Sequence, residues 1–126
     1  IVTGWHRKPE NCVLIQIIDP DMEFPEPKYE KLFDSIFHFK FLDLEGSSEQ
    51  CISSFQADQL ALILKDAFEQ GNNVLVHCVV GVCRSGGVAQ AGEALGFEYN
   101  IRPHACPNLL VKHKIIAALL NRGANV

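Results

Sequence analysis

Apolar residues along this chain fall into short continuous runs and longer stripes at helical spacing. "CVLIQIID", Cys12 to Asp19, is rich in β-branched residues and closes on the turn signal Asp-Pro-Asp. It predicts a buried strand. "PDMEFPEP", Pro20 to Pro27, reads as a proline-punctuated loop. In "KYEKLFDSI" a short helix would place Tyr29, Leu32, Phe33 and Ile36 on one face. "IFHFKFLDL", Ile36 to Leu44, alternates before turning apolar, with Phe37, Phe39 and Phe41 on one side of a second strand. The polar stretch "EGSSEQ" is a loop.

"SSFQADQLALILKDAFEQGNN" carries the clearest helix. Ser53 with Gln56 forms a capping-box pattern, and Gly71 supplies a stop. Its inner stripe reads Phe55, Leu60, Ile63, Leu64, Ala67 and Phe68. "NVLVH" is a third strand, and "GVAQAGEALG" starts a helix that ends at Gly96. The last helix is "PNLLVKHKIIAALLNRG", with Pro107 in its first turn. Its inner stripe reads Leu109, Leu110, His113, Ile116, Ala117 and Leu120.

Strands alternating with helices imply an α/β fold: a short, central, mostly parallel sheet flanked by helices on both faces. The chain of 126 residues fits a single domain, 1–126, with no internal boundary or repeat. Its hydrophobic content of 48% is enough for a core. The formal net charge of -4 argues against nucleic acid as a partner, since nonspecific binding needs a basic face. The five cysteines lack the density of a secreted disulfide scaffold, so a reduced, cytoplasmic setting is expected. No apolar run approaches the roughly 20 residues of a membrane span, so no membrane partner is expected. "IVTGWHRKPE" does not read as a signal peptide, and the missing initiating Met fits a trimmed or processed product. A monomer is expected.

The chemistry gathers where the third strand runs into the following helix, at "HCVVGVCRS". In α/β sheets ligands bind at such corners. A curled loop there turns backbone N–H groups inward, with the positive end of a helix behind them, and so binds an oxyanion. Gly81 gives the loop the freedom to curl. Arg84 adds a planar fork of donors matched to two phosphate oxygens. Within that cage a thiolate at Cys78 is favoured and nucleophilic. Ser85 can donate its hydroxyl to the sulfur when a covalent intermediate breaks down. A buried core cysteine is the bland alternative. A Walker-type loop is excluded, because no Gly-Lys-Ser or Gly-Lys-Thr follows a strand.

His77-Cys78, five residues, then Arg84-Ser85, with Gly81 inside, resembles the cysteine-dependent protein tyrosine phosphatase superfamily. The likeness is greatest to compact dual-specificity phosphatases of bacterial or phage type. It runs back through Ser53 to Asn73 and forward to "PNLLV", and is weak in the N-terminal part. The resemblance implies a phosphate-binding loop between a central strand and the next helix, with Val79, Val80, Gly81, Val82, Cys83 and Arg84 contacting substrate. It also implies a protein phosphatase acting on phosphotyrosine, with phosphoserine and phosphothreonine open, through a cysteinyl-phosphate and without metal or cofactor. The partner would be a phosphorylated protein or peptide. Two alternatives stay open: a phosphate-recognising domain with little turnover, and another thiol enzyme of rhodanese or arsenate-reductase type.

The resemblance also implies a general acid upstream of the cysteine, where "FLDLEGSSEQ" lies. A gap-free match to the dual-specificity pattern falls near Gly46, which has no acid. The bacterial pattern, aspartate followed by Leu or Ile at a strand end, matches Asp43-Leu44. Asp43 is chosen, with Glu45 the alternative.

His77 is expected beneath the loop, hydrogen-bonded to backbone. Cys83 is either a small loop side chain or a disulfide partner for Cys78 on oxidation. His104, Cys106 and His113 match no standard zinc spacing, and His113 is expected in the helix seam. Asn108 braces the phosphate loop or caps the last helix. Gly86-Gly87 signal either a loosened first helical turn or a close backbone approach. A loop interior without lysine disfavours phosphoinositides.

Overall fold

In the computed structural model of the chain, the described residues are 11–24, 33–46, 49–78, 83–98 and 107–126. Three strands, β1 (Cys12–Ile18), β2 (Ser35–Lys40) and β3 (Asn73–Cys78), form a sheet of order β2-β1-β3. Both pairings are parallel. The helices are α1 (Ser54–Gln70), α2 (Cys83–Leu95) and α3 (Leu109–Asn121).

The register explains the main core. Ile15 lies beside Phe37 and Val76, and Ile17 beside Phe39 and Cys78. Period-two alternation then sends Val13, Ile15, Ile17, Val74, Val76 and Cys78 to one face. All six are buried in a cluster with Leu60, Leu64, Val88, Val111, Ile115 and Leu119 from the helices. All three described helices contribute to this one face, whereas the sequence suggested helices on both. The reverse face holds a smaller cluster of Cys12, Leu14, Phe33 and Leu75. Most of the helix expected over "KYEKLFDSI" lies outside the described residues. It does not reach Ile36, because Ser35 and Ile36 are paired with Val13 and Leu14 in the sheet.

Among the described strands β1 is in the middle, and β3, expected as the central strand, lies beside it. Parallel pairing brings all three C-terminal strand ends to one edge. β2 stops short of the expected Leu44. Phe41 N–H still donates to Ile18 O at 3.1 Å, but Leu42 N–H turns away to Gln50 O at 2.7 Å.

α1 begins and ends where its sequence indicates. Ser53 Oγ accepts from Gln56 N–H, and Gln56 Oε1 accepts from Ser53 N–H, both at 3.0 Å. Such a cap is worth about 1 kcal/mol. Gly71 closes the helix at φ 71°, a left-handed conformation that costs glycine little. The buried stripe includes Leu60, Leu64 and Ala67 as expected, together with Ala57 and Ala61. Phe55 is instead 71% exposed. Phe68, at the rim, meets Phe97 edge-on with centroids 5.2 Å apart.

The expected stripe of α3 holds only in part: Leu110 and Ile116 pack half-buried against the core. Val111, Ile115, Ala118 and Leu119 face the core, while Leu109, His113, Ala117 and Leu120 are exposed. "LLVKHKIIAALL" is apolar on most sides, so periodicity alone admits two stripes. Polar anchors settle the rotation. Lys114 Nζ donates to Ile52 O at 3.0 Å, and Arg122 grips Asp58 through two bonds of 3.1 and 2.8 Å. Among the described residues no helix is long and apolar enough to cross a membrane.

Candidate active site

Cys78 is the last residue of β3 and is 1% exposed. Strand alternation turns it toward α2, where Ser85, fully buried, lies in the first turn of the helix. Cys78 Sγ and Ser85 Oγ are 3.4 Å apart. With a thiol, sulfur donates to the hydroxyl; with a thiolate, the hydroxyl donates to sulfur.

Arg84 is 2% exposed, and such burial is rare for a guanidinium without partners. Its Nη1 donates to Asp19 Oδ1 at 2.6 Å and to the Phe41 carbonyl at 2.7 Å. Asp19 directly follows β1 and Phe41 directly follows β2. The arginine of the third strand's corner is therefore anchored by the ends of the other two strands. These bonds occupy Nη1; among the described residues Nε and Nη2 have no partner, and that edge of the fork has the geometry to take an anion.

The acid segment follows β2. Asp43 and Glu45 are both exposed, and both are tied to the start of α3. Asp43 Oδ1 accepts from Asn108 Nδ2 at 2.8 Å. Glu45 Oε1 accepts from Leu109 N–H at 3.0 Å, satisfying one of the orphan amides of α3. Asn108 caps the same helix, its Oδ1 accepting from Val111 N–H at 3.1 Å.

The glycine pair after Ser85 reflects close approach, and α2 is helical from Cys83 onward. A Cβ on Gly87 would stand 2.6 Å from Asn108 O and 3.0 Å from Val111 Cβ. One on Gly86 would meet Pro107 at 3.4 Å. Small residues let α3 seat directly on the first turn of α2. The contact is completed by Asn108 N–H donating to Cys83 O at 2.8 Å.

The structure thus brings Cys78, Arg84 and Ser85 together and joins Asp43 to the same corner through Asn108. Cys83 is the half-buried first residue of α2, not a loop residue, and neither it nor Cys78 is in a disulfide. Val79, Val80, Gly81 and Val82 lie outside the described residues, as do His104 and Cys106. His113 is exposed, not in the packing seam. By strand alternation His77 points to the face of the sheet opposite Cys78, and its imidazole has no hydrogen-bond partner among the described residues. Burial lowers its pKa from the ordinary 6.5, because the half-buried ring loses solvation of its charged form. Sequence reasoning missed Asp19. Its only trace is an acid placed where a strand gives out at the ligand-binding edge.

Comparison with protein-family profiles finds no match, and comparison with curated proteins finds none. Among solved structures, the fold is similar to a human tyrosine phosphatase-like serine/threonine/tyrosine-interacting protein. The TM-score is 0.60 at 20% identity, over 89% of this chain and 78% of that one. The chain has the tyrosine-phosphatase-like fold. Tk-PTP in its active form is also similar, with a TM-score of 0.49 at 19% identity, over 92% of this chain and 69% of that one. In the tyrosine-phosphatase-like fold seen here, Cys78, Arg84 and Ser85 sit at the C-terminal edge of the parallel sheet.

Proposed function

We propose that this chain is a cysteine-dependent phosphatase that hydrolyses phosphotyrosine in proteins or peptides, with phosphoserine and phosphothreonine open as further substrates. The observation that carries the reading is the 3.4 Å contact of Cys78 Sγ with Ser85 Oγ, beside an arginine buried and anchored through one nitrogen.

In the first step the Cys78 thiolate attacks phosphorus. The S–P bond forms, the P–O bond to the leaving oxygen breaks, and Asp43 gives that oxygen a proton. The Nε–Nη2 edge of Arg84 holds two phosphoryl oxygens through the transfer. In the second step water attacks phosphorus and gives a proton to Asp43. Sulfur leaves as thiolate, stabilised by the hydroxyl of Ser85. Asp43 is favoured over Glu45 because its partner Asn108 reaches the first residue of α2, next to Arg84. The carboxylate of Glu45 is engaged as a cap on α3.

Hydrolysis of an aryl phosphate in reductant and EDTA tests the reading. The parent chain is expected to turn over and to be inhibited by vanadate, and Cys78→Ser to bind phosphate without turnover. Parent-like turnover by Cys78→Ser would refute the covalent route. The description of the human protein as tyrosine phosphatase-like and interacting supports a second reading, phosphate recognition without turnover. Vanadate binding with no hydrolysis by the parent chain would select it.

A further inference from the structure

Asn108 is 2% exposed and every polar group of its side chain is engaged. Oδ1 accepts from Val111 N–H at 3.1 Å. Nδ2 donates to Asp43 Oδ1 at 2.8 Å and to Leu44 O at 3.1 Å. The orientation of the amide is fixed by its surroundings. A backbone N–H can only donate and a backbone carbonyl can only accept, so oxygen must face Val111 and nitrogen must face Leu44 and Asp43. Its backbone N–H holds Cys83 O at 2.8 Å, and its carbonyl lies against Gly87.

We infer that Asn108 is a positioning residue that selects which oxygen of Asp43 carries the transferred proton. This rests on the phosphatase reading above. An amide nitrogen offers hydrogen and no lone pair, so Asp43 Oδ1 stays an acceptor in both protonation states. The proton therefore resides on Oδ2. It passes from Oδ2 to the leaving oxygen as the P–O bond breaks, and a proton from water returns to Oδ2 in the second step. The bond to Leu44 O holds the adjacent backbone. The bond to Cys83 O fixes that segment against the helix bearing Arg84 and Ser85.

Two variants separate this role from the helix cap. Asn108→Ser and Asn108→Asp both retain an N-cap oxygen for Val111 N–H. Serine is too short to replace the amide donor, and ionised aspartate meets Asp43 with lone pairs only. The assay compares an aryl phosphate with an activated, nitro-substituted leaving group against unactivated phenyl phosphate. A good leaving group departs with little help from an acid; a poor one needs the proton. The ratio of kcat/KM for activated over unactivated ester is expected to rise roughly tenfold to a hundredfold in both variants. In an Asp43→Asn background, Asn108→Ser should add no further change to that ratio.

An unmoved ratio, or losses that add to those of Asp43→Asn, would overturn the inference while leaving the phosphatase reading intact. If the parent chain hydrolyses neither ester, the phosphatase reading falls and takes this inference with it. Should either variant fold poorly, the double variant compared with Asp43→Asn alone still decides, since the ratio is independent of the active fraction.

Discussion

Arg84 Nη1 lies 2.6 Å from Asp19 Oδ1, joining residues that are far apart in sequence. The guanidinium is almost fully buried while the carboxylate remains one-third exposed. Removing the carboxylate leaves the Phe41 carbonyl as the remaining described anchor of a buried cation. Asp19→Ala is expected to cost about 1 to 3 kcal/mol in chemical denaturation. It should also weaken vanadate binding, because the Nε–Nη2 edge of the fork loses its fixed direction. Unchanged stability and unchanged vanadate affinity would show that the pair anchors nothing.

Arginine is needed at this position for its shape as well as its charge. Lysine has three donors on one nitrogen and no fork to hold Asp19, Phe41 O and two phosphoryl oxygens together. Arg84→Lys should therefore lose at least a hundredfold in kcat/KM on an aryl phosphate, an order-of-magnitude expectation for a preorganised oxyanion donor. Parent-like kinetics would contradict the assigned role.

The two glycines at positions 46 and 87 should respond oppositely to alanine. A Cβ on Gly87 collides with the Asn108 carbonyl and Val111, and these cannot move without shifting α3. Gly87→Ala is expected to destabilise by about 1 to 3 kcal/mol. A Cβ on Gly46 meets nothing within 4 Å, so Gly46→Ala should be neutral or stabilise by up to about 1 kcal/mol. Thermal unfolding of the two variants checks the contrast.

His77 predicts an acid-side loss of stability. Its pKa in the folded chain is below the ordinary 6.5, so between these two values the unfolded chain binds the additional proton. The stabilising contribution is full above about pH 6.5 and falls as pH drops toward the lowered folded value. Replacing the imidazole by Gln should flatten the stability profile in that window. A steeper profile would reverse the sign of this argument.

How much of this was legible in the chain depended on whether the signal was local. The Ser53–Gln56 box and Gly71 bound α1 because capping is chemistry within one turn. Cys78, Arg84 and Ser85 could be singled out because one strand-to-helix corner holds all three. Asp19 could not, because the need for it arises only when Arg84 is buried at the end of another strand. The face of α3 was legible only in part, at Leu110 and Ile116, because residues that are apolar on most sides leave rotation to tertiary anchors such as Lys114 and Arg122. Gly86 and Gly87 raised a question about helix quality that packing against Pro107 and Asn108 answers.

The choice between the two acids has its own contrast. On an ester with a poor leaving group, Asp43→Asn should lower kcat by roughly a hundredfold or more, the usual scale for a positioned proton donor. Glu45→Gln keeps an oxygen to accept from Leu109 N–H and should stay within a few-fold of the parent, an order-of-magnitude expectation for a retained cap. The opposite ranking would move the acid to Glu45.

The central claim is that phosphorus becomes bonded to one particular sulfur during turnover. Mixing the reduced protein with an aryl phosphate, quenching in acid within the first turnovers and mapping the adduct by mass spectrometry tests it. Phosphate attached to Cys78, absent from Cys78→Ser and longer-lived in Ser85→Ala, is the predicted result. Steady hydrolysis by the parent chain with no adduct at Cys78 in any quench, in Ser85→Ala as well, would contradict it.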